Sequence, residues 1–454
     1  MLTTTAAVLV AAAALGTATT RPSPAVPRHD ELKRSAPPVH LELKRTPISP
    51  TPLRRRDTTG IAQDLVLTNI VNNLYAASIT IGTPPQEFQV HLDTGSTDMY
   101  VYDSDCHCDA CSVAGETRYD RAQSSSFTDL GKTANITYGH GFTDGLWAKD
   151  VVTWGEMTVP AQSFVRALDT DDTYKPTNIT GLMGLAWTDG STGRETPFWQ
   201  NMVSRWADQR FAFYLGPTND RSREVKAGIL TLGGVDTSLY TGEINYVKLA
   251  SKGLWVVPLD GVKVNGSAAL QPQSKVRAAI DTGTSLIATP HDDAAAIYAA
   301  IPGAALDTAR SDDTLHVYSV PCDTSSVVSL TFNGVSYDIP LENFILPKDI
   351  TNDPDRCTGA IQGNAKVGSW IVGDVFLRSV YSVFQYDPPA VGFATLAPGL
   401  QTKSPKVPDV TVFNPPLPDR KGSSGDRAAD TEWRALAPWM LAPATIVIAG
   451  SGGW

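Results

Sequence analysis

Asp93-Thr94-Gly95-Ser96-Thr97 and Asp281-Thr282-Gly283-Thr284-Ser285 are near copies of each other, 188 residues apart (281 less 93). Each follows a short apolar run ending at the aspartate, Val90-His91-Leu92 in the first and Ala278-Ala279-Ile280 in the second. That pattern predicts a strand delivering a carboxylate into a tight glycine turn. A second echo keeps step with the first. Gly184, in Gly181-Leu182-Met183-Gly184-Leu185, lies 91 residues after Asp93 (184 less 93), and Gly373, in Trp370-Ile371-Val372-Gly373-Asp374, lies 92 after Asp281 (373 less 281). Two pairs at matched offsets indicate a duplicated unit.

A single Asp-Thr-Gly is accounted for by an Asx turn, in which the short side chain bonds to backbone two residues on and glycine supplies positive φ. Duplication adds a second meaning. Two lobes related by pseudo-symmetry would bring the carboxylates together at their boundary, and close carboxylates share a proton because both cannot ionise comfortably. Such a pair supplies a base for water and an acid for a carbonyl without a metal or a covalent intermediate. The sequence has no His-Glu-x-x-His zinc set, and no base motif accompanies Ser96 that would make it a nucleophile.

Three stretches carry a resemblance. Tyr75 to Gly95 reads YAASITIGTPPQEFQVHLDTG, the run Tyr138-Gly139-His140-Gly141 follows later, and Trp370 to Arg378 closes the set. Over residues 65 to 400 the chain resembles the pepsin-family aspartic endopeptidases. The resemblance implies a mainly β, bilobal acid-protease fold, with a cleft between two pseudo-symmetric lobes at 57–250 and 251–400. It implies catalytic Asp93 and Asp281 in Gly95 and Gly283 turns, Ser96 and Thr284 bonded to the outer carboxylate oxygens, and Thr94 and Thr282 cross-bracing the loops. Tyr138, Gly139, His140 and Gly141 would form a flap over an extended polypeptide substrate, with Leu182 also facing it. No cofactor is implied, and a monomer is expected.

The chain departs from the family's pattern at Tyr100, where a tryptophan usually partners the flap tyrosine, and at His140, in place of a small polar residue. His91 lies two residues before Asp93, so strand alternation points it to the side of the carboxylate. It is expected to line the cleft and, when charged, to lower the apparent pKa values of the pair. A simply solvated histidine is the alternative at His140.

At 454 residues the chain suits two lobes. Its formal net charge is −10, and because residues 21 to 56 hold nine Lys/Arg against three Asp/Glu, the remainder is about −16. That balance argues against nucleic acid as a partner. Residues 1–20 read as a secretory signal. The Pro-rich basic stretch 21–56, ending in Arg54-Arg55-Arg56, reads as a propeptide that would occupy an acidic cleft, with a disordered basic arm as the alternative. Past residue 400 come a Pro-rich linker, Gly422-Ser423-Ser424-Gly425, a polar spacer and an apolar end, which fit a GPI-attachment signal; a disordered tail or an interrupted membrane anchor are the competing readings.

Five cysteines suit an oxidising compartment. The resemblance implies Cys106–Cys111 and Cys322–Cys357 bridges and leaves Cys108 over; pairing within the trio stays open, as does metal binding by Cys106-His107-Cys108-Cys111. Asn135, Asn178 and Asn265 each begin a glycosylation sequon, the first close to the flap. Two other classes compete with the enzyme: an inactive pepsin-like binding or inhibitor module, since a fold outlives its activity, and a cell-wall structural protein, which leaves the duplicated tracts unexplained.

Overall fold

A computed structural model describes residues 60–400 except 71, 112–116, 140, 173, 175–176, 219–223, 271–275 and 347–354. These residues belong to one compact unit, Arg55–Trp454; the other, Met1–Arg54, lies outside them, as do the expected signal, propeptide and C-terminal tail.

Alternating apolar residues and frequent turn residues give strands rather than helices, and the duplicated tracts build the same device twice. Strand Gln86–Asp93 pairs in parallel with Gly181–Gly184, placing His91 beside Leu182 and Asp93 beside Gly184, and Gly181–Gly184 pairs antiparallel with Tyr100–Tyr102. In the second half Arg277–Ile280 pairs in parallel with Trp370–Val372, which pairs antiparallel with Ile287–Thr289. Each pair of parallel strands ends beside a crossing loop. A Cβ added at Gly184 or at Gly373 would run into the backbone of Thr97 or Thr284, so both echoed glycines are required by close approach.

A 13-stranded sheet continues across residue 250. Strands Val380–Gln385 and Ala390–Leu396 join it, the former pairing with Arg210–Tyr214 from the first half. An aromatic cluster sits where the halves meet: Phe211 stacks on Phe384 at 5.0 Å, Trp187 meets Trp255 at 4.9 Å, and the Trp255 indole donates to the Leu185 carbonyl (2.9 Å). Burying each such ring contributes roughly 2–3 kcal/mol.

Helices are few and short. Phe198–Met202 forms a helix followed by a 3-10 turn at Val203–Arg205, and the aromatic stripe of this stretch is packing: Phe198, Trp199, Met202, Val203 and Trp206 are all buried. His291–Ala299, Leu341–Phe344 and Asp374–Leu377 are further short helices. Disulfides join Cys106 to Cys111 and Cys322 to Cys357.

Candidate active site

The two aspartate turns are built alike. Asp93 ends its strand, its Oδ1 accepts from the Gly95 amide at 2.7 Å, and its Oδ2 takes a short hydrogen bond from the Ser96 hydroxyl. Asp281 repeats this with the Gly283 amide (2.8 Å) on Oδ1 and the Thr284 hydroxyl (2.7 Å) on Oδ2. Four donors thus fix two side chains.

Threonines join the turns. The Thr94 hydroxyl donates to the Ile280 carbonyl (2.8 Å) and accepts from the Thr282 amide (3.0 Å); the Thr282 hydroxyl donates to the Leu92 carbonyl (2.8 Å) and accepts from the Thr94 amide (3.1 Å). Both threonines are fully buried, so every bond in this square is kept from water.

The carboxylates meet face to face. A Cβ at Gly95 would stand 2.5 Å from the Asp281 carboxylate atoms, and one at Gly283 would collide in the same way with Asp93. Only glycine leaves room for the neighbour's acid. Burial first, and then the charge of Asp281, hold the Asp93 carboxyl well above the usual carboxylate range, against the pull of the Ser96 hydroxyl and Gly95 amide. Asp93 therefore keeps its proton where an ordinary carboxyl has lost it.

Strands Thr128–Thr137 and Phe142–Trp154 form a hairpin. Its tip closes through the Tyr138 amide and the Gly141 carbonyl (3.0 Å), and Gly141 has φ +85°, a left-handed conformation that suits glycine. Asp171 accepts from the Phe142 amide at 2.8 Å and so holds the hairpin at its tip end. Gly139 is half-buried at the tip, whereas His140 lies outside the described residues. Tyr138 shares a pocket with Gly95, Ser96, Asp98 and Leu254. The Tyr138 and Tyr100 rings lie 6.2 Å apart, and the buried Tyr138 hydroxyl has no hydrogen-bond partner, so these residues meet through their rings alone.

His91 is a correction. Expected to line the cleft, it is 2% exposed, shares a 2.9 Å hydrogen bond through Nδ1 with the Tyr174 hydroxyl, and leaves Nε2 unpartnered. Burial lowers its pKa from 6.5 to about 4, so it is neutral over most of the range in which charge on it was expected to act. Tyr100 and Leu182 are buried in the same apolar cluster as Tyr174.

Sequence reasoning passed over Asp98, Tyr174 and Asp374. Asp98 is buried and accepts from the Ser191 hydroxyl (2.5 Å) and the Thr192 amide (2.9 Å). Asp374 is fully buried with neither carboxyl oxygen hydrogen-bonded. Burial raises its pKa well above the usual range; Arg378 opposes this, while Asp281 and Asp93 add to it. One signal for Asp374 was readable: where the first echo has Leu185 after its glycine, the second has an acid. Among the described residues, the only cluster of three or more metal-type side chains is Cys106, Cys108 and Cys111.

Paired, proton-sharing carboxylates in a duplicated β scaffold define a class: hydrolases in which aspartates activate water. The family model for eukaryotic aspartyl protease matches residues 74–396. The chain is 36% identical over 341 residues to major aspartyl peptidase 1 of Cryptococcus neoformans var. grubii, covering 72% of this chain and 69% of that one. It is 33% identical over 335 residues to chymosin of Callithrix jacchus (72% and 82% covered) and 33% over 342 to vacuolar aspartic protease of Candida albicans (74% and 78%). The chain belongs to the eukaryotic aspartyl protease family, and it is an aspartic-type endopeptidase working at acid pH.

Proposed function

We propose that Asp93 and Asp281 together carry the hydrolysis of an extended polypeptide bound beneath the hairpin. The ionised member of the pair takes a proton from water as that water attacks the scissile carbonyl carbon. Its protonated neighbour hydrogen-bonds the carbonyl oxygen, and the leaving amine departs with a proton from the pair. Ser96, Thr284 and the two glycine amides hold the outer oxygens, while Thr94 and Thr282 keep the loops in register. The observation that carries this reading is the approach of each carboxylate to the other loop's glycine. With both aspartates and their hydroxyl partners present, no residue favours an inactive binding module.

The reading extends to the rest of the chain. Residues 1–20 would direct secretion, 21–56 would plug the cleft until acid protonates the carboxylates that hold it, and 57–250 and 251–400 would serve as the two lobes. Segment 401–454 would carry a GPI signal to the cell surface, and the enzyme would act as a monomer. Glycans at Asn135, Asn178 and Asn265 fit the exposure of all three side chains. Determining both termini of the mature protein tests the processing.

Digestion of a denatured protein at pH 3 to 6, with and without a statine-type mimic, tests the chemistry. Asp93→Asn and Asp281→Asn are each expected to cost at least about a thousandfold in kcat, given what general acid–base groups contribute. Cleavage that survives both changes removes the mechanism.

A further inference from the structure

Two disulfides use four of the five cysteines, and the remaining sulfur, on Cys108, stands beside one of the bridges. It lies 2.9 Å from the Cys111 sulfur and 3.4 Å from the Cys106 sulfur, and all three sulfurs lie within 4.8 Å of one another. No mechanism described above uses them.

The three are set differently in the fold. Cys106 and Cys111 are buried in the apolar cluster that holds Tyr100, Tyr102 and Leu182, while Cys108 and Tyr138 are partly buried and pack against it. Cys106 is tied by its amide to the Asp103 carbonyl (2.9 Å), and the Cys111 amide bonds the Cys108 carbonyl (3.2 Å), so one short turn carries both Cys108 and Cys111. A Cys-x-x-Cys pair on one turn is a ready alternative bridge.

We propose that Cys106, Cys108 and Cys111 form a thiol–disulfide exchange site, in which the bridge to Cys111 passes between Cys106 and Cys108. The Cys108 thiolate attacks the Cys111 sulfur, the Cys108–Cys111 bond forms and the Cys106–Cys111 bond breaks. The electron pair stays on the Cys106 sulfur, which takes up the proton that Cys108 gave up. Net oxidation is zero, so no outside oxidant or reductant is needed. Exchange shortens the covalent loop from the 106–111 span to the 108–111 span and leaves a thiol inside the cluster against which the flap tyrosine packs. A chemical modifier reaching Cys106 would therefore act on the flap side of the cleft.

The full chain, held at about pH 6.5 and confirmed folded by its circular dichroism throughout, is labelled with N-ethylmaleimide over time, quenched in acid and then mapped by mass spectrometry. Cleavage before Asp109 separates Cys111 from the other two, and fragment ions across His107 separate Cys106 from Cys108. The expected result is label on both Cys106 and Cys108 in the wild type and on none of the trio in Cys108→Ser. Label confined to Cys108 at every time overturns the proposal. Cys106→Ser, incubated with oxidised glutathione as the electron acceptor, gives a second readout: a Cys108–Cys111 bridge and a fall from two trio thiols to none, with release of reduced glutathione, supports it, and two persistent thiols or mixed disulfides alone sink it.

Discussion

His91 shows what a single titratable group costs an acid enzyme when it is buried. Its imidazole stays neutral down to about pH 4, whereas in the unfolded chain it takes a proton near 6.5. Between those values the unfolded state binds the extra proton, so native stability falls as pH drops from 6.5 to 4 and then levels off. The loss is roughly 3 kcal/mol for a shift of this size. Replacing His91 by Gln removes the titration. The drop in unfolding free energy between pH 7 and pH 4, followed by urea denaturation, should shrink by about that amount even if losing the Tyr174 contact lowers stability at every pH. An unchanged pH dependence would mean that the imidazole ionises as readily when folded. Burial of this residue was not legible in the sequence, because strand alternation gives its side but not its cover, and Tyr174, 83 residues on, supplies the cover.

At the scale of elements, the two strand-and-turn units depend on each other more than on their own loops. Each threonine hydroxyl both donates and accepts across the join, so Thr94→Val strands the Ile280 carbonyl and the Thr282 amide in a buried place. Leaving two buried backbone groups unpaired costs on the order of 2–4 kcal/mol. Part of that cost falls on the geometry of the acids. Thr94→Val is therefore expected to lower kcat about tenfold or more with little change in KM, because substrate contacts are kept while the aspartates lose alignment. Thr94→Ser, which keeps the hydroxyl, should recover most of the rate. A rate kept by Thr94→Val and lost by Thr94→Ser would point to the methyl group's packing instead. This part of the site was legible because turn chemistry is local: a glycine where a neighbour's acid must fit and a hydroxyl three residues past each aspartate are written in adjacent letters. The pairing of Val380–Gln385 with Arg210–Tyr214 is written in no local pattern, since alternation marks a strand without naming its neighbour.

For the whole molecule, the balance of buried acids sets the pH range in which the fold holds. Asp64, Asp93, Asp98 and Asp374 all have carboxyls raised by burial, and Asp374 has no hydrogen bond to either oxygen. A carboxyl with a raised folded pKa stays protonated after its unfolded counterpart has ionised. The native state then binds more protons, and stability is lost as pH rises from about 3.8 through the raised value. His91 works in the opposite sense, but it is one group against four. Tm should therefore fall as pH rises above about 3.8, where the unfolded carboxyls take up charge and the buried ones keep their protons. Asp374→Asn separates this account from general charge repulsion. Because the side chain is neutral in acid anyway, the variant should melt within a few degrees of the wild type near pH 4, on the order of 1 kcal/mol. At neutral pH it should melt higher than the wild type, since it has no proton to lose from a site that offers an anion no hydrogen bond. Equal melting of the two proteins at pH 7.5 would show that Asp374 ionises there without cost and that another group sets the neutral limit.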